Sequence, residues 1–77
     1  MIEVILESKG DVKVKYKIGS SEEQEILLNP NQFHTFRTKS ALELGISDGG
    51  LVRVYLNGKD RGLSGPSGKP SRLKYPK

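Results

Sequence analysis

The side chains able to do covalent chemistry are few: the 77 residues hold one His, no Cys and no Trp. A hydrolase or transferase needs a nucleophile, a base and a group that orients the base, and His34 has no evident partner in the sequence. It stands between Phe33 and Phe36 in a segment of strand character, and reads as a surface or core-margin residue. One His cannot build a zinc site, and Glu22, Glu23 and Glu25 lack the Gly-punctuated spacing of a calcium loop, so that acidic run reads as a solvated turn. No catalytic, cofactor-binding or metal-ligating residue is assigned, and the expectation is a protein that is not an enzyme.

The stretch Gly65-Pro66-Ser67-Gly68-Lys69-Pro70-Ser71 invites comparison with a phosphate-binding loop. The first Gly of that motif would fall at Leu63, Pro70 replaces the Mg²⁺-binding Ser/Thr, and no helix follows to supply an N-terminus. Gly62 to Pro70 also reads as three Gly-X-Y triplets, too short a tract for a triple helix. Neither motif survives its context.

Charge is the remaining functional signal. The net charge is +4, but residues 1–50 hold six Lys/Arg against eight Asp/Glu while residues 51–77 hold seven Lys/Arg against one Asp. Arg53 and Tyr55 share one strand face and Arg72 and Lys74 share another, making these four the candidate partner-binding residues. Small barrels that bind single-stranded nucleic acid combine basic grooves with aromatic stacking faces, so that class is the alternative function. One Tyr without an aromatic in phase is a thin stacking platform, and the alternating Lys13, Lys15 and Lys17 also fit a strand protected from edge-to-edge pairing.

The elements that position these residues are strands. Ile2, Val4 and Leu6 alternate before Lys9-Gly10-Asp11; Val12, Val14, Tyr16 and Ile18 alternate with three lysines before Gly19-Ser20-Ser21. Glu22 to Leu28 admits a strand or a short helix, since Ser20 and Glu23 have capping-box spacing. Strand is preferred because no apolar residue precedes Ile26 to form a helical stripe. Pro30 stops that segment. Phe33 to Thr38 and Ala41 to Ile46 follow, then a turn at Ser47-Asp48-Gly49-Gly50. Next, Leu51 to Leu56 runs into Asn57-Gly58, a pair suited to a type I′ hairpin with positive φ at Gly58. A two-residue turn would set Lys59 opposite Leu56 and Arg61 opposite Val54, so the return arm is expected to be very short or bulged, with Leu63 recovering the core. Ser71 to Tyr75 alternates again. The fold class is all-β: a small antiparallel β-sandwich or barrel of about seven short strands. The expected core is Val4, Leu6, Val12, Val14, Ile26, Leu28, Leu42, Leu44, Val52, Val54, Leu56 and Leu73.

Length allows one domain spanning residues 1–77, whose stability rests on strand pairing and apolar packing because no disulfide or thiolate site can reinforce it. The longest apolar runs, Val4-Ile5-Leu6 and Ile26-Leu27-Leu28, are far short of the roughly 18 residues that cross a bilayer. From Leu42 to Tyr75, the apolar strand with Leu44-Gly45, the run Val52-Arg53-Val54-Tyr55-Leu56-Asn57-Gly58-Lys59, the Gly/Pro-rich loop and the final basic-apolar strand resemble the C-terminal extracytoplasmic domain of RodZ-like cell-shape proteins. Asp11 to Ile18 takes the place of that family's second strand. Where the family often has Trp this strand has Val12 or Val14, and Ile46 stands where it often has Asn. The resemblance implies an all-β scaffold domain at the far end of a single-pass membrane protein, whose cytoplasmic helix-turn-helix domain engages the bacterial actin-like cytoskeleton. It further implies an extracytoplasmic location, an excised domain with Met1 as an added start, and a protein or cell-wall component of the elongation machinery as partner.

Overall fold

The computed structural model describes residues 1–75. Its strands are β1 (Ile2–Ser8), β2 (Val12–Ile18), β3 (Gln24–Leu28), β4 (Phe33–Thr38), β5 (Leu42–Ile46), β6 (Val52–Leu56), β7 (Lys59–Leu63) and β8 (Ser71–Tyr75). Eight strands replace the expected seven because the return arm of the Asn57-Gly58 hairpin is a full five-residue strand. Glu22 to Leu28 contains β3 and no helix, and β3 lies against β2 with Val14 opposite Ile26 and Val12 opposite Leu28. Tertiary pairing of the apolar positions outweighs the capping-box spacing at Ser20.

The strands form two antiparallel four-stranded sheets, ordered β4-β1-β6-β7 and β3-β2-β5-β8. The architecture is therefore a sandwich and not a closed barrel. Each strand buries alternate side chains, so the inward positions of both sheets make one core: Val4, Leu6, Val12, Val14, Leu28, Phe36, Leu42, Leu44, Ile46, Val52, Val54 and Tyr75. Three members of the expected core, Ile26, Leu56 and Leu73, are only partly buried and pack against its margin. In their stead Phe36, Ile46 and Tyr75 are buried. Phe36 lies 4.9 Å from the Tyr16 ring, joining β4 of one sheet to β2 of the other. Ser8 is the fully buried polar residue; its hydroxyl donates to the Asn29 carbonyl and accepts the Gln32 N–H, tying the β3–β4 turn to β1.

The hairpin has the expected turn. Asn57 and Gly58 both have positive φ, 50° and 83°, and Leu56 stands opposite Lys59. The expected bulge is present too: Tyr55 pairs with Asp60 and Arg53 with Leu63, so Arg61 and Gly62 together face Val54. Leu63 does not recover the core. The extra residue shifts the phase of β7 by one, which places Leu63 beside outward-facing Arg53 and leaves it 54% exposed.

Between β5 and β6 the expected turn at Ser47-Asp48-Gly49-Gly50 is a 3₁₀ turn, Gly49–Leu51, capped by Asp48. The Asp48 carboxylate accepts both Gly50 N–H (3.0 Å) and Gly68 N–H (2.9 Å), tying this turn to the Gly/Pro-rich loop before β8. Gly49 N–H donates to the Lys69 carbonyl and Gly65 N–H to the Gly49 carbonyl. The two backbones touch: a Cβ on Gly49 would sit 2.6 Å from the Gly65 Cα, and one on Gly50 2.5 Å from the Ser67 Cα. Ser71 Oγ donates to the Ser64 carbonyl and closes the loop onto the start of β8.

Truncating Leu6, fully buried on a central strand between β4 and β6, removes packing atoms from both neighbours. Leu6→Ala is expected to cost about 2–5 kcal/mol, read as a lowered midpoint in urea denaturation. A midpoint equal to that of the parent would contradict the core assignment.

Candidate functional site

The two outer faces of the sandwich differ in their electrostatics. On the face of β4-β1-β6-β7 the charged residues are paired with one another. Arg53 Nε lies 3.1 and 3.0 Å from the Asp60 carboxylate oxygens and its Nη2 is 3.0 Å from Oδ2. Tyr55 donates its hydroxyl to Glu7 (3.2 Å), and Arg37 Nε donates to Glu3 (2.8 Å). Asp60 also accepts the Gly62 N–H at 2.7 Å, which pins the bulge. The hydrogen bond from Arg53, joined by that from Gly62 N–H, holds the Asp60 carboxyl below its ordinary range. Tyr55 is pushed up, chiefly by burial of its hydroxyl and then by the negative charge of Glu7.

The outer face of β3-β2-β5-β8 is open and basic. Antiparallel pairing lines up Glu25, Lys15, Gly45 and Arg72 in one row across the four strands. The next row holds Lys17, Glu43 and Lys74. Gly45 lacks a side chain between Lys15 and Arg72, and a cavity of about 260 Å³ opens over it, walled by Lys15, Lys17, Glu23, Glu43, Arg72 and Lys74. Among the described residues none of Lys15, Lys17, Arg72 or Lys74 makes an ion pair. The fold does not require glycine at this position. Its φ is not left-handed, and a Cβ would meet Lys15 Cβ at 3.8 Å, an ordinary contact. Glycine inside a strand weakens it, and its usual reason is a bulge or the close approach of another group to the backbone.

The four sequence-selected residues are thus brought together in pairs only. Arg53 and Tyr55 lie on β6, central in one sheet; Arg72 and Lys74 lie on β8, the edge of the other. No single edge bears all four, because the two pairs point outward from opposite sheets. Sequence reasoning saw the Lys13, Lys15 and Lys17 face but did not join it to Arg72 and Lys74, which requires knowing that β5 lies between β2 and β8. Tyr16 and Tyr75 both turn inward, toward Phe36 and the core respectively, so the basic face presents no tyrosine ring. His34 is half-buried on edge strand β4, its ring edge-on to Phe36 at 4.6 Å. Among the described residues no group of three or more His, Cys, Asp or Glu is placed to hold a metal ion, and no helix is long and apolar enough to cross a membrane. Comparison with protein-family models, with curated proteins and with solved structures found no match.

Two glycines give opposite expectations. Gly45→Ala is expected to raise stability by about 0.5–1 kcal/mol by relieving the cost of a strand-interior glycine. Gly49→Ala, driven into the Gly65 backbone, is expected to lower it by about 1–3 kcal/mol. Urea midpoints of the two variants against the parent test both.

The Asp60 carboxyl titrates below its unfolded value, so its contribution to stability is present above the unfolded carboxylate range and is lost as pH falls through the lowered folded-state value. A ¹³C-detected carboxyl titration should place Asp60 below an ordinary aspartate, and Arg53→Ser should move it upward, with the Gly62 N–H retaining part of the depression. An unmoved midpoint would show that the guanidinium is not the main cause.

Proposed function

We propose that this domain is a non-catalytic binding module, an extracytoplasmic scaffold domain of the RodZ-like kind acting in rod-shape maintenance and cell-wall elongation. The support for binding is the cationic face of β2, β5 and β8, unpaired among the described residues, with its side-chain gap over Gly45. A charged surface satisfied within the molecule, like that around Arg53 and Asp60, offers a partner less than one whose cations stand free. The support for the family reading is the order of elements from β5 through the hairpin and glycine loop to β8, the part of the chain that carries the resemblance. On this reading the parent protein is anchored in the membrane and the partner is a protein or wall component of the elongation machinery.

Single-stranded nucleic acid is the second reading, favoured by the count of cations on one face. Sequence-tolerant strand binding draws much of its energy from bases stacked on aromatic rings, and Tyr16 and Tyr75 are turned away from this face. What is left is electrostatic attachment, which weakens steeply with salt.

Titration of the 77-residue chain with a fluorescent single-stranded oligonucleotide at roughly 0.15 M salt should show weak association that disappears as salt rises. Salt-resistant sub-micromolar affinity would replace the scaffold reading with the nucleic-acid one. Lys15→Ser with Arg72→Ser in the parent protein is expected to impair rescue of rod shape in cells lacking it; full rescue would remove this face from the function.

A further inference from the structure

Strand β8 combines three features that bear on one ligand. It is the last strand of its sheet and pairs with β5 alone among the described strands, which leaves one side of its backbone free. Its outward residues, Arg72 and Lys74, are basic and exposed. Its inward residues, Leu73 and Tyr75, wall a second cavity of about 250 Å³ that opens between the edges of the two sheets and is completed by Val54, Arg61, Leu63 and Ser64. Exposed Leu63 contributes an apolar surface at this opening.

We propose that the β8 edge takes up an extended acidic segment of a partner protein as an added strand, with carboxylates at alternate positions beside Arg72 and Lys74 and the intervening apolar side chain in the cleft between β7 and β8. The inference rests on the binding-module reading and names its ligand. Side chains of an extended strand alternate between faces, and those on one face recur about every 6.6–6.8 Å. An added strand therefore presents one set to the basic outer face and the other to the opening between the sheets, where Val54, Leu63 and Leu73 supply apolar atoms beside Arg61 and Ser64, with main-chain hydrogen bonds supplying the common affinity. Arg72 can engage a carboxylate with two parallel hydrogen bonds. Lys15 and Lys17, across Gly45 and Glu43, extend the positive field behind it.

Charge selects this occupant over a second copy of the chain, since antiparallel pairing of β8 with β8 would bring Arg72 and Lys74 against the same residues of the other molecule. The edge of β7 is less suited to addition: its strand is interrupted at Arg61 and Gly62, and the Asp60 side chain occupies the Gly62 N–H.

The test is a ¹H–¹⁵N NMR titration of the 77-residue chain with a short synthetic peptide of alternating Glu and Val. Controls are a block-scrambled peptide of the same composition, an alternating Lys and Val peptide, and a version N-methylated on alternate amides. The expected result is a set of shifts confined to β8, β5 and the facing edge of β7, with at least tenfold weaker binding for the scrambled, Lys and N-methylated peptides. Arg72→Ser with Lys74→Ser should also weaken the Glu peptide at least tenfold while leaving the spectrum of the folded domain intact. Equal binding of scrambled and alternating peptides, shifts on another edge, no binding at millimolar peptide, or a dimer formed through β8 would each overturn the proposal. Peptide uptake at β8 combined with full shape rescue by Lys15→Ser/Arg72→Ser would retire the scaffold reading and keep the edge as a site. Impaired rescue without peptide uptake would do the reverse.

Discussion

Every strand of this domain must bury one face against the opposite sheet, and the chain is threaded so that neither sheet can be assembled without the other. The connections β1 to β2, β3 to β4, β4 to β5, β5 to β6 and β7 to β8 all pass between sheets; only β2 to β3 and β6 to β7 are hairpins within one. Central β1 pairs with β4 and β6, and central β2 with β3 and β5, so most partners are distant in sequence. Such a topology closes large loops before contacts compensate for them, which makes formation slow relative to helical domains. Once formed, the core has no local subset that can stand alone. Neither a disulfide nor a large aromatic cluster assists it, and most of its buried positions are Val, Leu or Ile.

Within that frame the glycine contact between the 3₁₀ turn and the Gly/Pro-rich loop decides where β8 lies. Gly49 against Gly65 and Gly50 against Ser67 leave no room for a β-carbon, and the Asp48 carboxylate holds one backbone N–H from each side. The loop whose glycines resemble a phosphate cradle therefore uses its amides internally: Gly68 N–H on the Asp48 carboxylate, Gly65 N–H on the Gly49 carbonyl and Lys69 N–H on the Pro66 carbonyl. The two candidate surfaces follow from this placement, because β8 contributes to the open basic face with one set of side chains and to the inter-sheet opening with the other.

The sequence carried the period-two signal well enough to assign every strand but β7, the hairpin turn and most core positions. Phe36 escaped because His34 and the exposed Phe33 beside it obscured which phase of β4 is inward. Leu63 was misassigned because a bulge inverts the phase beyond it, and the bulge is fixed by Asp60, which accepts from the Arg53 side chain and from the Gly62 N–H, contacts with no periodic trace. The grouping of candidate site residues suffered most. Which strand faces share a surface depends on sheet order, and alternation within a strand carries no record of its neighbours. Gly45 illustrates the point: in the sequence it is one glycine after a leucine, whereas between Lys15 and Arg72 it becomes the floor of a cavity.

The pairing register also gives the sandwich two unlike poles. Ile2 stands opposite Thr38 and Tyr75 opposite Leu42, with Lys39 to Ala41 crossing between the sheets there, so the first and last described strands meet the same pole. Asn57 reinforces it by accepting the Glu3 N–H and donating its own N–H to the Glu3 carbonyl. The contacting glycines Gly49 and Gly65 gather at the other pole, together with the Ser8 anchor of the β3–β4 turn. Ile2 and Tyr75 thus lie on one side of the molecule, and the glycine pole is the tip farthest from both. The β8 edge runs lengthwise between the two poles, so a guest strand laid along it would lie along the pole-to-pole direction rather than across it.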